Sequence, residues 1–269
     1  MSAPLLQALV QIRFPLLAHL QTVEGIARLQ DRLKDRLPYL SPRTGNPMAL
    51  QLHIGVGGLG VDSSNSFAGW EFRDDFGHLL VVEAGALSLV AGSEYSGISR
   101  FMELFQQIVT EFAVAEQPRR YERLGVRYLS LAETELANPH EWAEWFRPEL
   151  TGWVGDATIL ATEAQIVSSL TQVQIAGAVD LELGEGSGVP QGVLKHGWVP
   201  RGSLLPGVPP IQTRNPGYLL DLDFFIMAPQ NYDSERIVGQ FSWLHGQIDR
   251  FFAWSLTEEG RTHFKYEEL

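Results

Sequence analysis

Apolar and polar residues alternate from Gln7 to Phe14. Ala8, Val10, Ile12 and Phe14 share one side, and Gln7, Leu9, Gln11 and Arg13 the other. A period of two predicts a strand, because successive side chains of an extended chain point to opposite faces. From Thr22 the period changes. Ile26, Leu29, Leu33 and Leu37 recur at three- and four-residue steps. That spacing predicts a helix over 22–37, with Thr22 as its cap and Pro38 ending it. Residues 41–48 are polar, contain Pro42 and Pro47, and predict a loop. Four short strands follow over 49–56, 69–74, 78–84 and 86–92. They are separated by turn chemistry at Asp74-Asp75-Phe76-Gly77 and at Gly85. Ile98, Phe101, Met102, Phe105, Ile108, Val109 and Phe112 then form the wide apolar stripe of a second helix over 96–115.

The order begins again at Tyr121. A strand is predicted over 121–132, with Leu124, Val126 and Tyr128 on one face. A short helix over 139–146 is capped by Asn138 and has Pro139 at its first position. Strands over 158–170 and 171–183 precede a Gly/Pro-rich insertion, 184–217, with a short strand near 193–199. A strand over 218–227, a long helix over 234–255 and a final turn capped by Thr257 complete the chain. Ile12-Arg13-Phe14 and Val126-Arg127-Tyr128 stand at matching places in the two first strands. The expected fold is α+β. It has tandem duplicated β-α-β(3–4)-α units, residues 1–117 and 118–269, forming a curved antiparallel sheet with the long helices packed on one face. This order resembles the TATA-binding-protein type of duplicated saddle, and a fold alone assigns no function.

Composition narrows the classes. The 269 residues are 45% hydrophobic and 19% charged, enough apolar surface for a sizeable core. There are no cysteines, which removes disulfides, thiolate metal sites and cysteine nucleophiles. No apolar stretch approaches the 18 or so residues of a membrane span, and residues 1–14 lack a basic segment followed by an apolar run. The expectation is a soluble, cytoplasmic protein. The formal net charge of −12 opposes nonspecific binding to a phosphate backbone and suits solubility.

Several segments together resemble a sporadically distributed bacterial family of about this length. They are Pro4-Leu5 with Val10-Gln11-Ile12-Arg13-Phe14, Leu124-Gly125-Val126-Arg127-Tyr128, Leu220-Asp221-Leu222-Asp223, Leu244-His245 and Leu256-Thr257-Glu258. They are spread over nearly the whole chain. The family's patchy occurrence implies horizontal transfer, and with it a link to defence, toxin control or mobile elements. The resemblance implies no reaction.

The candidate chemistry is sparse. Gly55-Val56-Gly57-Gly58-Leu59-Gly60 fits a G-x-G-x-x-G string, but loop-forming residues follow where a dinucleotide site needs a helix. No cofactor and no metal are expected. Asp221 and Asp223 share one face of a strand, as do Asp180 and Glu182. They could bind a cation or act as an acid/base pair, yet an ion pair with Arg13 or Arg127 is the favoured role. The 184–217 insertion gathers Lys195, His196, Trp198, Arg201 and Arg214, a basic and aromatic group in an acidic chain, and these are the binding candidates. Three function classes stay open. The leading one is a non-enzymatic binding protein with a protein or peptide partner. The others are a nucleic-acid-binding or nucleic-acid-mimicking protein, and an enzyme built around Asp221, Asp223 and Arg127. No membrane partner is expected.

Overall fold

The computed structural model describes residues 4–45, 67–92, 97–133, 142–152, 166–177 and 188–266, apart from the side chain of Ala228. The strand expected over 49–56, residues 158–165 of the strand expected over 158–170, the G-x-G-x-x-G string, and Asp180 with Glu182 lie outside the described residues, and the described part of that second strand, 166–170, forms no strand. The described chain is α+β. The elements are β1 (Leu5–Arg13), a 3-10 turn (Ala18–Gln21), α1 (Val23–Leu33), β2 (Tyr39–Thr44), β3 (Phe67–Arg73), β4 (His78–Glu83), β5 (Ala86–Ala91) and α2 (Ile98–Glu116). Then come β6 (Arg120–Glu133), α3 (Trp142–Trp145), α4 (Pro148–Thr151), β7 (Thr171–Ala176) and β8 (Pro190–Val199). The chain continues through β9 (Leu204–Leu205), β10 (Ile211–Gln212), β11 (Gly217–Asn231), α5 (Ser234–Ser255) and α6 (Glu258–Phe264).

Nine of the strands form one antiparallel sheet in the order β2-β3-β4-β5-β1-β6-β11-β8-β7. The alternation in the sequence decides which residues meet the helices. Ala8, Val10 and Ile12 of β1, Leu124 and Val126 of β6, and Leu222 and Phe224 of β11 form one core with α1, α2 and α5. The helices supply Ile26, Leu29, Phe101, Phe105, Phe112, Phe241 and Leu244 to it. Thr22 caps α1 by accepting from the Gly25 amide, and Asp233 caps α5 by accepting from Arg236. A second aromatic cluster joins Trp142, Phe146, Trp198, Tyr218 and Phe264, so the short helices pack under α6. No helix among the described residues is long and apolar enough to cross a membrane.

Two segments differ from expectation. Residues 39–44, which follow the expected helix end at Pro38 and run into the loop expected over 41–48, form β2. Pro42 is accommodated because β2 is the outer strand of the sheet, where a missing amide donor is tolerated. The 184–217 insertion is also more regular than its composition implies. Pro190–Val199 is a ten-residue strand inside the sheet. Pro190 stands at its first residue. Gly192 faces Ile175 and Phe224 where a Cβ would crowd both, and Gly197 lies against the Ser169 carbonyl at a φ of 148°. The glycines therefore mark close approach of neighbouring strands. Residues 200–216 fold back over the face of the sheet that carries no helix among the described residues. Leu205 packs with Leu129, Leu131 and Leu219, and Val208 with Leu9, Leu79 and Val90. Gln7 fixes this cover: its amide donates to the Val208 carbonyl at 2.8 Å, and its Oε1 accepts from the Val208 amide at 2.9 Å.

Candidate functional site

Beside that cover, the helix-free face carries charge at the centre of the sheet. The antiparallel register sets Arg13 opposite Arg123, Gln11 opposite Gly125, and Leu9 opposite Arg127. On the other side of β6, Arg127 is opposite Asp223, and Lys195 of β8 is opposite Asp221. Cross-strand partners point to the same face. Arg13, Arg123, Arg127 and Lys195 therefore share it with Asp221, Asp223 and Glu83, the last placed there because Ala86 pairs with both Arg13 and Glu83.

The ion pairs are diagonal. Arg127 Nε donates to Asp221 Oδ1 at 2.6 Å and its terminal nitrogen to Oδ2 at 2.7 Å, a two-point fork. Arg123 donates to both oxygens of Asp223 at 3.2 Å. Its guanidinium lies 4.5 Å from the centre of the Phe225 ring. It reaches there across Gly125, where an added Cβ would sit only 2.3 Å from its terminal nitrogen. Gly125 thus gives the guanidinium room to lie flat on the sheet. Beneath it, Gln11 donates to Ser88 Oγ at 2.9 Å. Gln11 Oε1 and Arg123 Nε are buried and have no hydrogen-bond partner among the described residues.

Burial sets the electrostatics. Loss of water raises the Asp223 pKa above the ordinary carboxylate value, against the lowering effect of Arg123 and Arg127. Burial likewise lowers Arg123, and the charges of Arg13 and Arg127 add to that, while Asp223 opposes it. Arg127 is also pushed down by burial, but Asp221 more than compensates and leaves it raised. Of the two pairs, Arg127–Asp221 has the shorter hydrogen bonds.

The expected ion pair of Arg127 with an aspartate is present, with Asp221. Asp223 is held by Arg123, which sequence reasoning overlooked. The available signal was Arg123-x-Gly125-x-Arg127, two cations of equal strand parity around a glycine. The five binding candidates of the insertion do not converge. His196 and Trp198 are buried on the helix side, His196 beside the Tyr218 hydroxyl at 2.9 Å and Trp198 against Trp142. Their side chains are spent on packing. Lys195 alone points to the charged face. Arg201 and Arg214 are exposed in the covering loop, where the Arg214 amide donates to Glu133. Among the described residues no group of three or more His, Asp or Glu is placed to hold a metal ion.

Comparison of the chain with protein-family models and with curated proteins finds no match.

Proposed function

We propose that the chain is a tandem duplication that acts by binding and not by catalysis, holding an acidic segment of a protein partner on the helix-free face of the sheet. Several observations support the duplication. β1 and β6 lie side by side in the middle of the sheet. Outward from them the order runs β5, β4, β3 on one side and β11, β8, β7 on the other. A twofold axis through the Gln11–Gly125 pair would carry Arg13 onto Arg127, two residues to either side of it.

The observation that carries the binding reading is a cluster of cations. Arg13, Arg123, Arg127 and Lys195 stand on this face of β1, β6 and β8 together with Asp221, Asp223 and Glu83, in a chain of net charge −12. At physiological ionic strength charges are screened beyond about 8 Å, so a ligand seated there meets these cations and not the distant acidic surface. Asp221, Asp223 and Glu83 are already engaged by guanidinium donors, which suits a rigid recognition surface better than a base or nucleophile awaiting a substrate. The test is a binding titration of a labelled glutamate-rich peptide against a lysine-rich peptide and a single-stranded oligonucleotide. The glutamate-rich peptide is expected to bind, weaken with added salt, and lose at least about tenfold in affinity in Lys195→Glu. Preference for the oligonucleotide would transfer the face to the nucleic-acid class. Preference for the lysine-rich peptide would end the proposal.

A further inference from the structure

On the opposite, helix-covered side, a cavity of about 460 Å³ opens between the first turn of α2, the inner face of α5 and a floor of β1, β6 and β11. That size lies in the range of small-molecule sites. Its walls are largely apolar, with Leu5, Leu222, Ile98, Ile248 and Phe252 among them. Two hydrogen-bonded pairs interrupt the apolar lining. The Tyr128 hydroxyl lies 3.0 Å from His245 Nδ1, and the Tyr266 hydroxyl donates to both oxygens of Asp249 at 3.2 Å. His245 and Asp249 are four residues apart on α5, so they share the face turned to the cavity.

Asp249 is the unbalanced group. It is half-buried, it stands in an apolar surround, and among the described residues it makes no ion pair. Burial holds His245 below its ordinary pKa, so at neutral pH the neighbouring imidazole brings no compensating charge. Arg100 also lines the cavity but is exposed at its rim. The rings nearest the carboxylate are aromatic, with Phe252 and Tyr266 centred 5.7 Å apart. A partly desolvated carboxylate among aromatic rings favours a cation that is itself attached to an apolar body.

We propose that this cavity binds a small apolar amine, its ammonium group held by Asp249 beside Tyr266 and Phe252 and its body resting on Leu5, Leu222 and Ile248. The site is separate from the charged face, and the proposal does not depend on the partner-binding reading. The experiment is a calorimetric titration of the full chain with phenethylamine, the matching phenyl alcohol and the matching phenyl carboxylic acid. The amine is expected to bind at least about tenfold tighter than either analogue, and Asp249→Asn to remove that advantage. Ile98→Trp, which fills the cavity from its α2 wall, is expected to abolish amine binding while circular dichroism shows an intact fold. Equal binding of amine and alcohol, or preference for the acid, would overturn the role of Asp249. Amine binding unchanged in Ile98→Trp, or no binding by any of the three, would overturn the site.

Discussion

Arg127 and Asp221 are joined by two short hydrogen bonds, and their side chains keep only 12% and 3% of their exposure. Removing one partner of such a pair strands a charge away from water, at a cost of about 3–5 kcal/mol. Asp221→Ala is therefore expected to lower the urea unfolding free energy by about that amount. A loss under about 1 kcal/mol would show that Arg127 finds water or another partner. Strand parity made Asp221, Asp223 and Arg127 legible from the sequence alone. Arg123 was not legible because Asp223 lies four residues along β11 from Met227, the residue opposite Arg123, and because Arg123 depends on the bare backbone of Gly125 to get there. His196 and Trp198 misled for the opposite reason. Polar and aromatic residues in a Gly/Pro-rich stretch suggest exposure, yet alternation along β8 turns both into the helix-side core.

At the level of elements, the long helices and most strands followed from periodicity, and the caps at Thr22 and Thr257 from residue type. Strands that depend on close approach did not. β8 contains two glycines and begins at a proline, features that argue against a sheet interior until the neighbouring chain is in view. Gly197 is the sharpest case. A Cβ there would lie 2.0 Å from the Ser169 carbonyl oxygen, and the φ of 148° disfavours any side chain. Gly197→Ala is expected to cost more than about 1 kcal/mol. Gly239→Ala in α5, where nothing lies within 4 Å of the new methyl, is expected to gain up to about 1 kcal/mol. Equal effects of the two substitutions in thermal unfolding would contradict the close packing of β8.

For the molecule as a whole, buried histidines link stability to pH. Burial lowers the pKa of both His196 and His245 from the usual 6.5, with Asp249 partly opposing the shift at His245. The unfolded chain then takes up protons near pH 6.5 that the folded chain refuses. Their stabilisation is complete above that pH and is lost as pH falls through the depressed folded values. The melting temperature is expected to drop between pH 7 and pH 5.5, and to drop less in His245→Gln. An unchanged pH profile in that variant would mean that His245 titrates normally in the fold. The whole-molecule plan was partly legible. An α+β chain with a large antiparallel sheet follows from the alternation and the short turns. Which face would be charged required the register between β1, β6 and β11, and that no local pattern encodes.

We propose that the helix-free face recognises acidic groups through its clustered cations. That recognition is tested most directly by reversing charge on both sides of the contact. The affinity of the wild-type chain and of Lys195→Glu is measured for the glutamate-rich peptide and for the same peptide with one glutamate replaced by lysine. If the account holds, each reversal alone weakens binding, and for one replaced position the two together recover at least about tenfold of the loss. Additive losses at every peptide position, or no loss in Lys195→Glu, would contradict it.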